Sequence, residues 1–267
     1  MSARRDAIRE LAIFAAAYFV YFGVRAITEG TTGVAMQNAM DVISFEQRLG
    51  IAWERGVQNL VVGSQVLLDA FNAVYMYGHW PVIIVAGVLL FRHRRSEYYR
   101  LRNAFLLTGL LGLVVFALFP VAPPRLTDLP LVDTVTRHAE GYRQIVPPEL
   151  VNQYAAMPSF HAGWNLLVGI AVFRATHNLL LRVLAVTGPL AMAAAVVATA
   201  NHYVVDVVAG VAIVLAGLAA VHFASGRTLD REHEHKLAAP VHRCPPGRQR
   251  PHATTRRRGA EAPARRG

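Results

Sequence analysis

The sequence predicts an all-α, polytopic membrane protein with six transmembrane helices. Its 267 residues are 54% hydrophobic and only 16% charged, and the mean hydropathy is +0.33. Soluble domains of this length rarely combine so few charges with so many apolar residues. Six apolar runs each come close to the ~20 residues that a helix needs to cross the hydrocarbon core of a bilayer. Composition and run length therefore favour a membrane-embedded helical bundle.

The predicted spans follow these runs in order. They are Ile8–Ile27, Leu67–Phe91, Leu101–Phe119, Phe160–Thr176, Leu179–Ala200 and Tyr203–Ala224. The first shows no signal-peptide cleavage pattern and is interpreted as an uncleaved span. The second contains Trp80-Pro81 and is expected to bend there, because proline removes a helix hydrogen bond. Residues 1–225 are predicted to form one membrane domain. Residues 226–267, rich in Pro, Arg and Ala and without hydrophobic period, are predicted to be a disordered tail.

Basic residues determine the predicted orientation. The segments that carry them are residues 4–9, residues 92–102, residues 174–182 and the tail. With an even number of spans these segments lie on one side, which the positive-inside rule makes the cytoplasm. We therefore expect a multi-pass plasma-membrane protein with both termini in the cytoplasm.

The net charge of +10 does not indicate a nucleic-acid partner. Eleven of the 27 basic residues lie after Ser225, and a basic tail beside a membrane usually contacts anionic lipid headgroups. The single cysteine, Cys244, lies in the same tail, so the chain has neither an internal disulfide nor a cysteine-based zinc site.

A histidine and an aspartate stand together in "NHYVVD", where spans five and six meet at the outer face. His202 and Asp206 are four residues apart and share one face of a helix. A carboxylate bonded to one imidazole nitrogen leaves the other nitrogen free to act as a base or a nucleophile. The alternative is a pair whose members only satisfy each other at a helix end.

The start of span four, "MPSFHAGW", reaches the same face and carries Ser159 and His161. The exposed N–H groups and the positive dipole at a helix N-terminus favour an anion such as phosphate. Ser159 either caps the helix or donates its hydroxyl to that anion. A bound phosphate would favour the imidazolium form of His161 and make it a proton donor.

Further polar residues are expected near the same face. Arg125 follows Pro123-Pro124 in a stiff segment, and its planar fork suits phosphate oxygens; the alternative is an arginine that reaches the lipid headgroups. Possible substrate-binding residues are Arg25, Tyr75, His79 and Asn201. Headgroup contact for Arg25 and core packing for Tyr75 and His79 are the alternatives. Residues 36–50 are predicted to form an amphipathic surface helix that covers the site or connects two spans.

Together these motifs identify a family resemblance. "MPSFHAGW" followed by "NHYVVDVVAG" resembles the type 2 phosphatidic acid phosphatase superfamily, whose second motif is P-S-x-H and whose third ends in H-x-x-x-D. The segments "NAVYMYGHWPV" and "FPVAPPRL" are similar to its inositolphosphotransferase branch, which includes inositol phosphorylceramide synthases. The likeness covers residues 8 to 224 and implies a helical-bundle core of the phosphatidic acid phosphatase type 2 / haloperoxidase kind.

The resemblance implies a metal-independent, cofactor-free phosphoric ester hydrolase or phosphotransferase of lipid metabolism. Its substrate would be a phospholipid or lipid phosphate at the extracytoplasmic face, and its acceptor water or a polyol such as inositol. His202 would be the nucleophile that forms a phosphohistidine, oriented by Asp206, and His161 would protonate the leaving oxygen. Arg125 and Ser159 would bind the phosphate.

Two departures from the superfamily pattern reduce the number of positive charges around the phosphate. The only lysine is Lys236, in the tail, and Val196 stands where an arginine usually precedes the third-motif histidine by six positions. Arg125, with Arg25, would have to compensate, which favours the inositolphosphotransferase branch. Two other classes remain open: a non-catalytic lipid-binding or transport protein, and a membrane redox protein with metal or haem ligated by histidines, namely His79, His161 and His202.

Overall fold

A computed structural model describes residues 2–28, 32–135 and 152–238. The chain divides into two compact units, residues 1–226 and 227–267, and the first carries all the features below except the last part of α9. The principal helices are α1 (Ser2–Thr28), α2 (Thr32–Leu49), α3 (Glu54–Val62), α4 (Gln65–Tyr77), α5 (Trp80–His93), α6 (Arg95–Leu118), α7 (Phe160–Ala175), α8 (Leu179–Ala198) and α9 (Val204–Ala238), with a 3-10 turn at Pro124–Leu126. Within the described ranges the only β pairing is a bridge between Val121 and Ala155. The all-α prediction is confirmed.

Three of the described helices are long and apolar enough to cross a membrane, namely α6, α8 and residues 204–224 of α9. The helices α4 and α5 count as a fourth span if their bent pair is taken together. The bend of 48° lies just before Trp80-Pro81, with the proline in the first turn of α5. This is where the sequence predicts it, because proline tolerates the first turn of a helix but not its interior.

The prediction of six spans is not confirmed. The predicted fourth span corresponds to α7, which has 16 residues, fewer than the ~20 that a bilayer requires. Helix α7 packs against α5, α6 and α8, so much of its surface contacts protein. The predicted first span lies within α1, which is not one of the candidate membrane spans. The structure does not describe the side chains of residues 24–28 in this helix.

Small residues bring α7 close to its neighbours. A Cβ on Gly163 would lie 2.7 Å from the carbonyl oxygen of Gly210 in α9, and a Cβ on Gly210 would overlap the carbonyl group of Ser159. Such backbone approach is typical of helix pairs in membranes, where van der Waals packing replaces the hydrophobic effect. The segment that begins α7 is therefore held directly against the first turns of α9.

Replacing Gly210 by alanine is expected to destabilise this contact. The added methyl group meets backbone atoms of Ser159, which cannot rotate away, and overpacking of this kind costs about 1–3 kcal/mol. We expect a lower thermal unfolding midpoint in detergent. Gly87→Ala is the matched control, because nothing lies within 4 Å of a Cβ there. Equal midpoints for the two variants would contradict the close approach.

A buried carboxylate joins α1 to α6. Glu10 is 7% exposed; its Oε2 accepts from the Tyr98 hydroxyl at 2.9 Å and its Oε1 from Arg102 Nη1 at 2.6 Å. Removing one partner of such a pair leaves the other charge poorly solvated. This ion pair therefore fixes the position of α1 against the bundle.

Glu10→Ala is expected to lower the free energy of unfolding by about 3–5 kcal/mol, because Arg102 loses its counter-ion. The control is Asp6→Ala on the same helix, where the carboxylate is half exposed and 3.9 Å from Arg95. An exposed pair contributes at most about 1 kcal/mol. Chemical denaturation of both variants in detergent checks this, and a small effect for Glu10→Ala would mean that α1 is not held by this pair.

Candidate active site

A tight turn at the end of α8 positions the backbone of His202. The N–H of Asn201 donates to the carbonyl of Val196 and that of Ala200 to the carbonyl of Val197, each at 3.0 Å, which is the Schellman pattern. Ala200 has φ of 56°, a left-handed conformation that glycine usually adopts, so the turn is strained. The His202 N–H joins it, donating to the same Val196 carbonyl at 3.1 Å.

The side chain of His202 has one defined tautomer. Its Nδ1 lies 2.7 Å from the carbonyl oxygen of Ala156 and 3.4 Å from Oδ2 of Asp206. A carbonyl oxygen can only accept, so neutral His202 carries its hydrogen on Nδ1 and leaves Nε2 with a free lone pair. The nearer partner is thus a backbone carbonyl, which no residue-type pattern indicates, and the carboxylate is the second partner.

Asp206 stands at the first turn of α9 and is fully buried. Its Oδ2 accepts from the Tyr203 N–H at 2.8 Å, as the acidic residue of a capping box does. Its other oxygen, Oδ1, has no hydrogen-bond partner among the described residues. Asp206 therefore caps its own helix and faces the histidine with the same carboxylate.

Ser159 directly precedes α7 and is also fully buried. Its Oγ accepts from the Ala162 N–H at 3.4 Å, so it acts as the N-cap, while its own N–H donates to the carbonyl of Asp206 at 2.9 Å. The hydroxyl hydrogen is not used in the capping bond. The start of α7 is thereby tied to the start of α9.

The second histidine lies in an aromatic stack. The ring of His161 is 5.7 Å from that of His202, 4.3 Å from that of His79 and 4.8 Å from that of Tyr75, between centroids. The amide nitrogen of Asn165 donates to the His161 carbonyl at 2.8 Å and lies 3.0 Å from Nδ1 of His79. An amide NH₂ donates only, so neutral His79 carries its hydrogen on Nε2. His79 and Tyr75 surround His161.

Arg125 is held beside the His202 turn. Its N–H donates to the carbonyl of Ala200 at 2.9 Å and its Nη1 to Oδ1 of Asn201 at 2.7 Å. The Asn201 amide in turn donates to the Thr199 hydroxyl at 2.9 Å, and Asp133 lies 3.7 Å from Nε of Arg125. Asn201 therefore orients a guanidinium group next to the histidine.

The side chain of Arg25 lies outside the described side chains. Across residues 2–28, 32–135 and 152–238, no group of three or more His, Cys, Asp or Glu side chains is placed to hold a metal ion. This finding covers His79, His161 and His202.

Two buried acids that the sequence analysis did not identify lie at the start of α9, next to the site. Glu54 Oε1 accepts from the Val204 N–H at 2.9 Å, and Glu46 Oε1 from the Val205 N–H at 2.7 Å. They are 4% and 1% exposed. A signal existed for one of them: the buried positions of α2 are Ala35, Ala39, Val42, Ile43 and Glu46, a single helical stripe in which an acid is out of place.

A cavity of about 340 Å³ lies elsewhere, between α6, α7 and α9. Glu97, Arg100 and Arg174 line it, and the paired histidines do not. The contacts around His202 and His161 therefore do not involve this cavity.

Comparison with known proteins gives one family match. A model of the PAP2 superfamily matches residues 40–220, which include both histidine segments and Arg125 and make up more than half of the chain. The match does not distinguish the inositolphosphotransferase branch. No curated protein and no solved structure gives a significant match to the chain. Over its helical core and its paired histidine motifs, the chain belongs to the PAP2 superfamily.

Proposed function

We propose that the protein is an integral membrane enzyme that cleaves the phosphoester of a lipid through a phosphohistidine at His202. Membership of the PAP2 superfamily suggests phosphatase-type activity on a lipid phosphate. The observation that most supports the proposal is the tautomer of His202: the Ala156 carbonyl holds the hydrogen on Nδ1, and Nε2 is left as a nucleophile.

In the first step, Nε2 of His202 attacks phosphorus, the P–N bond forms and the P–O bond to the lipid alcohol breaks. His161 in its imidazolium form donates a proton to the leaving oxygen. The centroids of the two rings are 5.7 Å apart, so both imidazoles border one small region of the protein. The developing positive charge on His202 is stabilised by Asp206, and the Nδ1 hydrogen stays with His202.

In the second step, the oxygen of water or of an alcohol such as inositol attacks phosphorus. Neutral His161 takes the proton of the acceptor, the P–N bond breaks, and Nε2 recovers its lone pair. Protons and charges then return to the starting state. Phosphatase and phosphotransferase share the first step and differ only in the acceptor that the site admits.

The phosphate oxygens would be bound by Arg125, by the Ser159 hydroxyl and by the N-terminus of α7. The first N–H groups of α9 are already occupied by Asp206, Glu54 and Glu46, so that helix end is not available to the anion. Arg125 therefore supplies most of the positive charge that would offset the negative charge of the phosphate. Asn201 keeps its guanidinium in place.

We further propose that the site faces the extracytoplasmic side of the plasma membrane, because the basic segments lie at the opposite ends of the helices. A topology reporter fused after Ser225 should be cytoplasmic. An external reporter would place the site on the other face.

The activity is tested with purified protein in detergent and EDTA, offered lipid phosphates and phospholipids with and without inositol. Phosphorus NMR identifies the products. We expect inorganic phosphate or an inositol phosphate from the wild type and none from His202→Ala. Lipid binding without product in the wild type would favour the non-catalytic alternative, and equal product from both proteins would refute the role of His202.

A further inference from the structure

The cavity of about 340 Å³ between α6, α7 and α9 lies at the other end of α7 from the paired histidines. His161 stands in the first turn of α7, whereas Arg174, which lines the cavity, stands in the last turn. About 20 Å of helix separates the two positions at a rise of ~1.5 Å per residue. A molecule in this cavity therefore occupies a place of its own, distinct from the candidate active site.

The lining of the cavity changes from charged to apolar along the helices. Its charged residues lie where the helices end: Glu97 and Arg100 in the first two turns of α6, and Arg174 in the last turn of α7. The membrane-crossing part of α9 ends at the same face, at residue 224. Apolar lining residues lie about two turns further from that face, namely Leu167 in α7 and Leu215 and Leu218 in α9. This order matches a membrane lipid, whose polar group lies at the face and whose chains point inward.

Glu97 holds the two arginines of the cavity together. Its Oε1 accepts from Nη1 of Arg100 at 2.6 Å, and its Oε2 accepts from Nε of Arg174 at 3.3 Å. A guanidinium group has five N–H donors, and the other donors of these two groups make no hydrogen bond to the described residues. The two side chains are 39% and 52% exposed. Two positive charges and one negative charge therefore leave a net positive rim with donors for an anion.

Other arginines already satisfy the end of α7. Arg94 Nε donates to the carbonyl of Ala175 at 3.0 Å, and Arg182 Nε donates to the carbonyl of Thr176 at 2.9 Å. These are the carbonyl groups that a helix C-terminus leaves without partners. Arg174 is therefore not needed as a cap, and the whole face is basic, which attracts anionic lipids.

We propose that this cavity binds an anionic phospholipid, with the phosphate at Arg100 and Arg174 and an acyl chain against Leu167, Leu215 and Leu218. The cavity volume is at the lower end of the ~300–1,000 Å³ of ligand pockets, so it holds part of a lipid. Leu215 is 46% exposed, so the apolar wall is open to the surrounding bilayer and the rest of the lipid remains there. The inference does not rest on the proposed function, because it requires no turnover.

The first test offers the purified full-length protein equal amounts of phosphatidylglycerol and phosphatidylcholine with the same acyl chains. Native mass spectrometry measures how much of each lipid stays bound. We expect the wild type to retain about fivefold more phosphatidylglycerol, the scale of one net positive charge near an anionic headgroup. Equal retention of the two lipids by the wild type would overturn the proposal.

The cavity is identified as the binding site by the triple variant Glu97→Gln/Arg100→Gln/Arg174→Gln. It removes one net positive charge and leaves no carboxylate without its partners, and it should retain both lipids alike. Arg92→Gln is the matched control, since it removes one positive charge from an exposed position near the same face, at the end of α5. We expect it to keep the fivefold preference. A triple variant that keeps the preference as well would refute the role of the cavity.

A second test remains if the triple variant does not fold. Ala219 lines the cavity and is exposed, so the indole of Ala219→Trp would fill the apolar part of the cavity. Ala220→Trp is the control, because Ala220 is also exposed on α9 but does not line the cavity. We expect Ala219→Trp to retain at least fivefold less phosphatidylglycerol than Ala220→Trp, which should match the wild type. Equal retention by the two tryptophan variants would show that the acyl chain is not in the cavity.

Discussion

His202→Ala is expected to lower kcat for lipid phosphate cleavage by about 10⁴-fold or more, which is the scale on which removal of a nucleophile acts in other enzymes. The loss is large because Nε2 of His202 is the atom that accepts the phosphoryl group. The turn that places it, from Val196 to Tyr203, does not depend on the imidazole ring. The variant should therefore fold, with an unfolding midpoint lowered by the loss of the bond to the Ala156 carbonyl, which costs about 1–3 kcal/mol.

The matched control is His177→Ala, a histidine in the connection between α7 and α8, away from the paired histidines. Its rate should equal that of the wild type. Initial rates from phosphorus NMR with the best substrate of the panel provide the comparison. A His202→Ala variant within about tenfold of the wild type would exclude covalent catalysis by this residue.

Asp206→Asn is expected to lower kcat by about 10²-fold, less than the ~10⁴ that loss of the orienting acid causes in serine proteases. The reason is geometric. The Ala156 carbonyl, at 2.7 Å from Nδ1, keeps the tautomer of His202 when the carboxylate at 3.4 Å becomes an amide. What is lost is the charge that stabilises the imidazolium of the transition state.

The amide side chain of the Asp206→Asn variant retains an oxygen for the Tyr203 N–H, so the helix start should persist. This variant and His202→Ala are compared at one pH with the same substrate. A loss for Asp206→Asn as large as that for His202→Ala would mean that Asp206, and not the Ala156 carbonyl, fixes the histidine. A loss below about twofold would mean that the carboxylate charge has no part in the reaction.

Several features of this site can be predicted from short-range patterns in the sequence. The four-residue spacing predicts that His202 and Asp206 share one face of a helix; they do lie 3.4 Å apart, but His202 precedes α9 and is not helical. Proline followed by serine predicts the N-cap at Ser159. The bend at Trp80-Pro81 follows from proline's missing N–H. Each of these features depends on neighbours within one turn, which is why the sequence alone predicts it.

Other features depend on tertiary contacts and have no local signal. The carbonyl of Ala156 is a backbone group, so no residue type marks it as the partner of His202. Glu54 acts on the start of α9 across 150 positions. The apolar composition of α7 predicts a membrane span, but that composition is the same whether lipid or protein surrounds the helix.

The central claim is that the phosphoryl group passes through His202, and trapping that intermediate tests it most directly. Wild type, His161→Ala and His202→Ala are mixed with ³²P-labelled lipid phosphate, quenched with base and digested. Phosphohistidine is stable to base, and mass spectrometry locates it. We expect label on the peptide that contains His202 in the wild type and no label in the His202→Ala variant. Label in His202→Ala, or label on His161, would contradict it.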